Sequence, residues 1–203
     1  MNPQDIRAAA QGSLLAYGSC NVTAQKGAVG ALVWNGNVSI RGTDGGRNWL
    51  TDAIVMPWYE YDTFRHLGFL LAAYDLWRPL KRFAKNGDLI NGHSMGGGIA
   101  INIATMYLMN NMRPRGVITF GAPYSASKGA FEYLESHKVP VVAYEQHDDP
   151  VPRIPALLGA TVFSKPKERV MLGEDDWGLD ASDHKMAAYK EAVEATLSPQ
   201  LSL

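Results

Sequence analysis

The sequence predicts an α/β fold in which helices flank a mostly parallel central sheet that starts with an antiparallel N-terminal hairpin. Helix-like and strand-like segments alternate after this hairpin, which is the chain order of a parallel sheet with helical connections. Two of the strand-like segments, residues 88–91 and 116–121, are short apolar runs typical of buried strands. Together, the alternation and the buried runs favour an α/β fold with a mostly parallel sheet.

The first elements are predicted to be a helix and the hairpin. Residues 5–17 place apolar side chains at helical spacing, so we expect an amphipathic helix there. Two β-prone segments follow at 28–34 and 37–41, separated by Asn35-Gly36. This dipeptide accommodates the positive φ angles of a tight hairpin turn. The sheet is therefore expected to begin with antiparallel strands.

The later elements alternate between helices and strands. Residues 67–83 have a broad apolar face and predict a helix that bends or stops near Pro79. Further helices are predicted at 97–110, 126–137 and 185–197, and further strands at 88–91, 116–121 and 139–144. We find no internal repeat, low-complexity tract or linker, so residues 1–203 are predicted to form a single domain.

Composition excludes several classes of protein. The 203 residues carry a formal net charge of −1 and no dense Lys/Arg run, which argues against nucleic-acid binding. The single Cys20 cannot form an internal disulfide, and no apolar segment is long enough to span a bilayer. The first residues lack the basic start and apolar core of a signal peptide. These observations predict a cytoplasmic location, although other release routes leave no such mark.

The pentapeptide Gly92-His93-Ser94-Met95-Gly96 is the strongest sign of chemistry. It follows a predicted buried strand and precedes a small-residue helix. Glycines two positions either side of Ser94 let strand and helix approach closely, so that the serine lies at a sharp turn with an exposed Oγ. Taken alone, the pattern is equally typical of an ordinary glycine-rich turn. A nucleophilic serine also needs a histidine base and a carboxylate.

The chain supplies both partners in the order expected after such a serine. Asp148 and Asp149 directly follow a predicted strand, where either could be a catalytic acid or part of a solvated turn before proline. Three histidines lie beyond Ser94, namely His137, His147 and His184. His147 is too close in sequence to turn its ring onto Asp149. His184 lies beyond the carboxylates in a predicted loop, so order and location favour it as the base.

Six short motifs occur in order along residues 38–189. They are Arg41-Gly42-Thr43, Asn48-Trp49-Leu50-Thr51-Asp52, His66-Leu67-Gly68-Phe69, Gly92-His93-Ser94-Met95-Gly96, Thr119-Phe120-Gly121-Ala122-Pro123 and Asp149-Pro150-Val151-Pro152-Arg153-Ile154-Pro155. This ordered set resembles the class 3 lipase family, the fungal-lipase-like branch of the α/β-hydrolases. Met95 stands where leucine is more usual in the family, which is a mild change in volume. The resemblance implies an α/β-hydrolase fold.

The resemblance also implies roles for particular residues. Asp149 matches the family's catalytic acid, two residues before Val-Pro, which leaves Asp148 as the second choice. Asp183-His184 resembles the family's terminal Asp-His, although Tyr189 lies further along than the matching aromatic residue. The expected oxyanion-hole donors are the backbone N–H of Met95, which follows the nucleophile, and Thr43.

An apolar and aromatic segment, residues 44–65, is a candidate pocket or lid. The matching part of family members includes a mobile lid over the site, whereas the plainer interpretation is core beneath a long loop. Trp49, Trp58 and His93 are our candidate substrate-binding residues.

The expected activity is hydrolysis of a lipid ester or a short acyl ester through an acyl-enzyme, with Ser94, His184 and Asp149 as the catalytic residues. The resemblance implies transient contact with a lipid surface. Neither a metal nor another cofactor is expected, because the sequence has no clustered Cys/His ligand spacing. Two alternatives stay open: an acyltransferase that uses the same residues, and an inactive hydrolase fold that serves as a binding module.

Overall fold

A computed structural model of the chain describes residues 1–24, 29–42, 56–60, 62–153, 162–173, 182 and 184–198. The strands in these residues are β1 (Val22–Thr23), β2 (Gly30–Trp34), β3 (Asn37–Ile40), β4 (Pro57–Glu60), β5 (Thr63–His66), β6 (Leu89–His93), β7 (Gly116–Phe120), β8 (Val141–Gln146) and β9 (Glu168–Leu172). Within this part of the chain, seven strands form one sheet in the order β1-β2-β3-β6-β7-β8-β9, and β4 pairs with β5 separately.

The strand directions confirm a mostly parallel sheet that begins with an antiparallel hairpin. Strand β2 is antiparallel to both of its neighbours, β1 and β3, with Ala31 opposite Ile40 between β2 and β3. From β3 to β9, each neighbouring pair is parallel. The β2–β3 turn has positive φ angles at Asn35 (45°) and Gly36 (71°), as a tight hairpin turn with two left-handed residues requires.

Helices cover both faces of this sheet. They are α1 (Pro3–Gly18), α2 (Leu67–Leu80), α3 (Met95–Met109), α4 (Lys128–Ser136) and α5 (Met186–Leu197), and a 3₁₀ turn lies at Val151–Arg153. Residues of α1 and α5 share one core cluster with Phe120 and Tyr144, whereas residues of α2, α3 and α4 share the other with Ile40 and Ile90. Strands β6 and β7 are buried along their whole length because both of their faces are covered.

The parallel arrangement brings the predicted site residues to one edge of the sheet. Ser94 directly follows β6, and Asp149 lies three residues after the end of β8 at Gln146. His184 lies beyond β9 and just before α5. Since the carboxyl ends of parallel strands meet at the same edge, residues distant in sequence converge there.

Four strands were absent from the sequence prediction. Strand β1 has only two residues, and β9 is an edge strand that exposes Glu168, Arg169 and Met171, so neither has a buried apolar run. Strands β4 and β5 form the hairpin within an aromatic segment that lacks a clear period, and most of β4 is exposed. The other differences are small shifts of element ends, and α2 stops at Leu80, one residue after Pro79.

Most of the predicted pocket or lid segment, residues 44–65, lies outside the described residues. That assignment and the single-domain assignment for residues 1–203 therefore stay predictions. No helix in the described part of the chain combines the length and the apolar character that a membrane span requires.

Candidate active site

Ser94 occupies a strained turn between β6 and α3. Its φ of 58° and ψ of −130° place a non-glycine residue at positive φ, which costs about 1–3 kcal/mol. The surrounding structure fixes this conformation, because the Ser94 N–H donates to the Phe120 carbonyl (2.9 Å) and the Ser94 carbonyl accepts from the Gly97 N–H (2.9 Å). The turn therefore holds Ser94 at the entrance to α3.

The glycines of the pentapeptide permit two close approaches of backbone to backbone. A Cβ atom on Gly92 would lie 2.5 Å from the carbonyl carbon of Gly96. A Cβ atom on Gly96 would overlap the carbonyl oxygen of Ile40 at the end of β3. The spacing seen in the sequence thus reflects steric need, since α3 could not begin so close to β6 and β3 with larger residues.

A chain of hydrogen bonds joins Ser94, His184 and Asp149. The Ser94 Oγ lies 2.8 Å from His184 Nε2, and His184 Nδ1 lies 2.8 Å from Asp149 Oδ2. The Asp149 side chain is wholly buried, while the His184 side chain is 20% exposed. This geometry matches that of a serine nucleophile, its base and the acid that orients the base. Of the neighbouring candidates Asp148 and Asp149, the structure brings Asp149 to the histidine.

The Asp149 carboxylate is held by donors on both oxygens. Oδ1 accepts from the Val151 N–H (2.9 Å), and Oδ2 accepts from the Tyr189 hydroxyl (2.7 Å) as well as facing His184. Burial and the nearby Asp149 carboxylate raise the pKa of Tyr189 far above its ordinary value, so its phenol stays protonated and donates. Gly121, at φ 56°, packs beneath this contact, where a Cβ atom would lie 2.9 Å from Asp149 Oδ2. These contacts fix the orientation of the carboxylate toward His184.

This arrangement can move a proton from serine to histidine. His184 Nε2 faces the hydroxyl, and the carboxylate on the opposite side of the ring favours the tautomer with hydrogen on Nδ1. Nε2 is then the lone-pair nitrogen that faces Ser94. The buried acid stabilises the positive charge that His184 gains when it accepts the serine proton.

The predicted oxyanion-hole residues are placed only in part. Met95 is the first residue of α3, so its backbone N–H lies at the positive end of the helix dipole. Thr43 lies outside the described residues. Gly42, the residue before it, is described and packs beside the nucleophile, because a Cβ atom there would lie 3.3 Å from the Ser94 Cβ. The described chain after β3 therefore passes next to Ser94 at Gly42.

The three candidate substrate-binding residues have different settings. Trp49 lies outside the described residues, and Trp58 on β4 is 50% exposed. His93 is only 4% exposed, and both of its ring nitrogens contact other residues of the protein. This setting favours a positioning role for His93 over the predicted contact with substrate.

Sequence reasoning assigned no function to Tyr17 or Tyr189, both of which contact the site. Tyr189 lies on the first turn of α5 and bonds to Asp149. Its signal in the sequence was an aromatic residue soon after His184, although the spacing differed from the resembled family. Tyr17 appeared only as one apolar position of α1, and its contact with His93 spans 76 residues. No sequence pattern could have revealed that contact.

The described residues contain no group of three or more His, Cys, Asp or Glu side chains arranged to hold a metal ion. The absence of a metal and of any other cofactor stays a prediction for the whole chain.

Comparison with known proteins finds one matching family and a related fungal lipase. The family model for lipase (class 3) matches residues 37–159, more than half of the chain. The secreted mono- and diacylglycerol lipase 1 of Fusarium solani is 28% identical over 156 residues. That match covers 68% of this chain and 46% of the relative, so the chain spans about half of the relative's length.

The secreted relative contradicts the predicted cytoplasmic location. That prediction was wrong because it rested on the composition of the first residues and on the lack of an apolar segment long enough to span a bilayer. Neither feature reports on the folded domain that the two proteins share.

Solved structures show the same fold. A lipase from Rhizopus microsporus var. chinensis superposes with a TM-score of 0.64 at 16% identity, covering 84% of this chain and 73% of that chain. A triacylglycerol lipase whose catalytic centre is described as a serine protease triad superposes with a TM-score of 0.63 at 20% identity, covering 77% and 66% respectively. The chain has the α/β-hydrolase fold, and with the family match over residues 37–159 it belongs to the class 3 lipase family.

Proposed function

We propose that this protein hydrolyses carboxylic esters, with Ser94 as nucleophile, His184 as general base and acid, and Asp149 as the orienting carboxylate. The observation that carries the proposal is the continuous hydrogen-bonded chain of 2.8 Å contacts from Ser94 Oγ through His184 to Asp149 Oδ2. The strained turn at Ser94 supports it, because strain of this kind persists where the surroundings enforce it, often at active sites.

In the first half of the reaction, Ser94 Oγ attacks the acyl carbonyl carbon while His184 Nε2 accepts the hydroxyl proton. A tetrahedral intermediate forms, and its collapse breaks the bond to the alcohol oxygen. The alcohol leaves with the proton from His184, and the acyl group stays on Ser94. In the second half, a water molecule gives one proton to His184 and attacks the acyl-enzyme. The second tetrahedral intermediate that forms then collapses, which releases the carboxylic acid and returns the proton from His184 to Ser94.

The negative charge that develops on the carbonyl oxygen needs fixed donors. We assign this role to the backbone N–H of Met95 and to Thr43. The position of Met95 at the start of α3 supports the first assignment, and the packing of Gly42 against Ser94 supports the second. Loss of one such donor typically lowers kcat by about 10²–10³-fold.

We propose lipid esters of the acylglycerol type as the substrate class. The Fusarium relative acts on mono- and diacylglycerols according to its name, which supports this choice. The β4–β5 hairpin adds independent support, since Met56, Trp58, Tyr59 and Phe64 are large apolar or aromatic side chains with exposed surface. The rings of Tyr59 and Phe64 contact each other, with centroids 5.1 Å apart, and exposed apolar side chains that group in this way are suited to transient contact with a lipid surface.

Assays of graded substrates test this function. We expect turnover of p-nitrophenyl esters from acetate to palmitate and of monoacyl- and diacylglycerol emulsions, with kcat on the order of 1–10³ s⁻¹ for the preferred ester. A competing alcohol added to the assay tests the acyltransferase alternative, because acyl transfer to that alcohol would form a new ester product. Failure to turn over any of these esters, in a protein that still binds them, would contradict the proposal and favour a binding module.

A further inference from the structure

A second hydrogen-bonded chain runs from α1 to the backbone of His184. The hydroxyl of Tyr17, near the end of α1, lies 2.7 Å from His93 Nδ1. On the other side of the same ring, His93 Nε2 lies 2.6 Å from the backbone carbonyl oxygen of His184. The chain thus links α1 to the main chain of the proposed base.

The chemistry of the groups fixes where the protons are. A carbonyl oxygen can only accept, so His93 Nε2 must carry hydrogen and donate to His184. Burial, together with the nearby His184, lowers the pKa of His93 to about 3, so the ring is neutral at physiological pH. A neutral ring has one lone-pair nitrogen, which here is Nδ1. The Tyr17 hydroxyl is therefore the donor to His93.

We infer that Tyr17 and His93 are positioning residues that fix the distance between the proposed base and nucleophile, an inference that rests on the proposed function. His93 directly precedes the nucleophile Ser94, and its side chain binds the backbone carbonyl of His184. The same short segment therefore carries the nucleophile and anchors the backbone of the base. Asp149 fixes the His184 side chain, and His93 fixes its main chain. The two contacts together hold His184 Nε2 at 2.8 Å from Ser94 Oγ.

The neutral state of His93 also matters for the reaction. The ring centroids of His93 and His184 are 4.7 Å apart, so a charged His93 would repel the imidazolium that forms on His184. The bond from Tyr17 occupies Nδ1 and favours the neutral tautomer. By keeping His93 neutral, Tyr17 prevents electrostatic repulsion of the positive charge that forms on His184 during the reaction.

Tyr17 also contacts the backbone that leads to the predicted oxyanion donor. A Cβ atom on Gly42 would overlap the Tyr17 hydroxyl and would lie 2.9 Å from the His93 carbonyl oxygen. The hydroxyl thus lies where the end of β3 meets the nucleophile turn. Tyr17 is outside residues 37–159, the part matched by the family model.

The test removes the hydroxyl and measures steady-state kinetics on a soluble ester. We expect Tyr17→Phe to lower kcat roughly three- to tenfold with little change in KM, because one hydrogen bond that holds the base is lost. His93→Gln retains an N–H donor and should lose less activity than His93→Leu. In the His93→Leu protein, adding Tyr17→Phe should have no further effect, because Tyr17 acts through His93.

The matched control is Tyr107→Phe, which removes a buried hydroxyl that donates to Asp88 Oδ2 (2.8 Å) near the opposite end of α3 and β6. It should lower the melting temperature but leave kcat near the wild-type value. Unchanged kcat in Tyr17→Phe, or an equal loss from Tyr17→Phe with and without His93, would overturn the inference.

A measurement independent of turnover separates failure of this inference from failure of the proposed function. Histidine ring ¹⁵N chemical shifts in the full chain should show His93 protonated on Nε2 alone between neutral and mildly acidic pH. Tyr17→Phe should shift the Nδ1 resonance. A ring that carries its hydrogen on Nδ1, or that titrates near neutral pH, would refute the hydrogen-bond chain even in a protein that hydrolyses esters. If the spectrum is as expected but the protein turns over no ester, the hydrogen-bond chain stands and the proposed ester hydrolysis is contradicted.

Discussion

Replacing Ser94 with alanine is expected to lower kcat for ester hydrolysis by about 10⁶-fold, the loss typical of a missing serine nucleophile. The variant lacks the oxygen that forms the acyl-enzyme, whereas its backbone stays in the same turn. Alanine and serine tolerate a positive φ about equally poorly, so the melting temperature should change little.

Ser136→Ala is a suitable control, because it removes a serine hydroxyl in α4 that donates to the backbone carbonyl of Tyr133 and has no contact with His184 or Asp149 among its hydrogen bonds. It should keep wild-type kcat. Residual activity of Ser94→Ala above about one hundredth of wild type would show that another group is the nucleophile, since catalysis by the remaining residues is far weaker.

Replacing Asp149 with asparagine is expected to lower kcat by about 10⁴-fold, while the same change at Asp148 has an effect below about tenfold. The amide has nearly the shape of the carboxylate, but it neither stabilises the imidazolium nor enforces the tautomer that leaves Nε2 free to accept. The Asp149 carboxylate contacts His184 Nδ1 at 2.8 Å, which is why the large effect belongs to this residue.

The pair of variants is its own control, since both change one carboxylate to an amide at adjacent positions. Melting temperatures of the two proteins separate loss of chemistry from loss of folding. The reverse pattern, with Asp148→Asn inactive and Asp149→Asn active, would show that we have assigned the catalytic acid to the wrong residue.

The features that the sequence predicted are those with short-range causes. The Asn35-Gly36 hairpin follows from the backbone freedom of two residues, and the Ser94 turn follows from the small residues at Gly92 and Gly96. The positions of Asp149 and His184 follow from a topological rule, because the ends of parallel strands share an edge. Local pattern and chain order therefore predicted Ser94, His184 and an acid at Asp148 or Asp149, and the family resemblance selected Asp149.

The features that the sequence did not predict depend on tertiary contacts. Strand β9 buries only Leu172 of its five residues, and its pairing with β8 makes it a strand. The link between Tyr17 and His93 joins residues 76 positions apart, and each fits its own local pattern without the other. His93 was predicted to contact substrate, which stays a prediction, and its sequence position gave no sign that its ring packs against Tyr17 of α1 and Tyr189 of α5.

The most direct test of the central claim is labelling of the wild-type protein with a fluorophosphonate probe, followed by mass spectrometry of its peptides. Such probes react with serines whose hydroxyl is activated by an adjacent base. We predict one modified residue, Ser94, with labelling lost in Ser94→Ala and slowed strongly in Asp149→Asn. A protein that stays unlabelled, or that is labelled at another serine, would contradict the assignment of Ser94, His184 and Asp149 as an active catalytic triad.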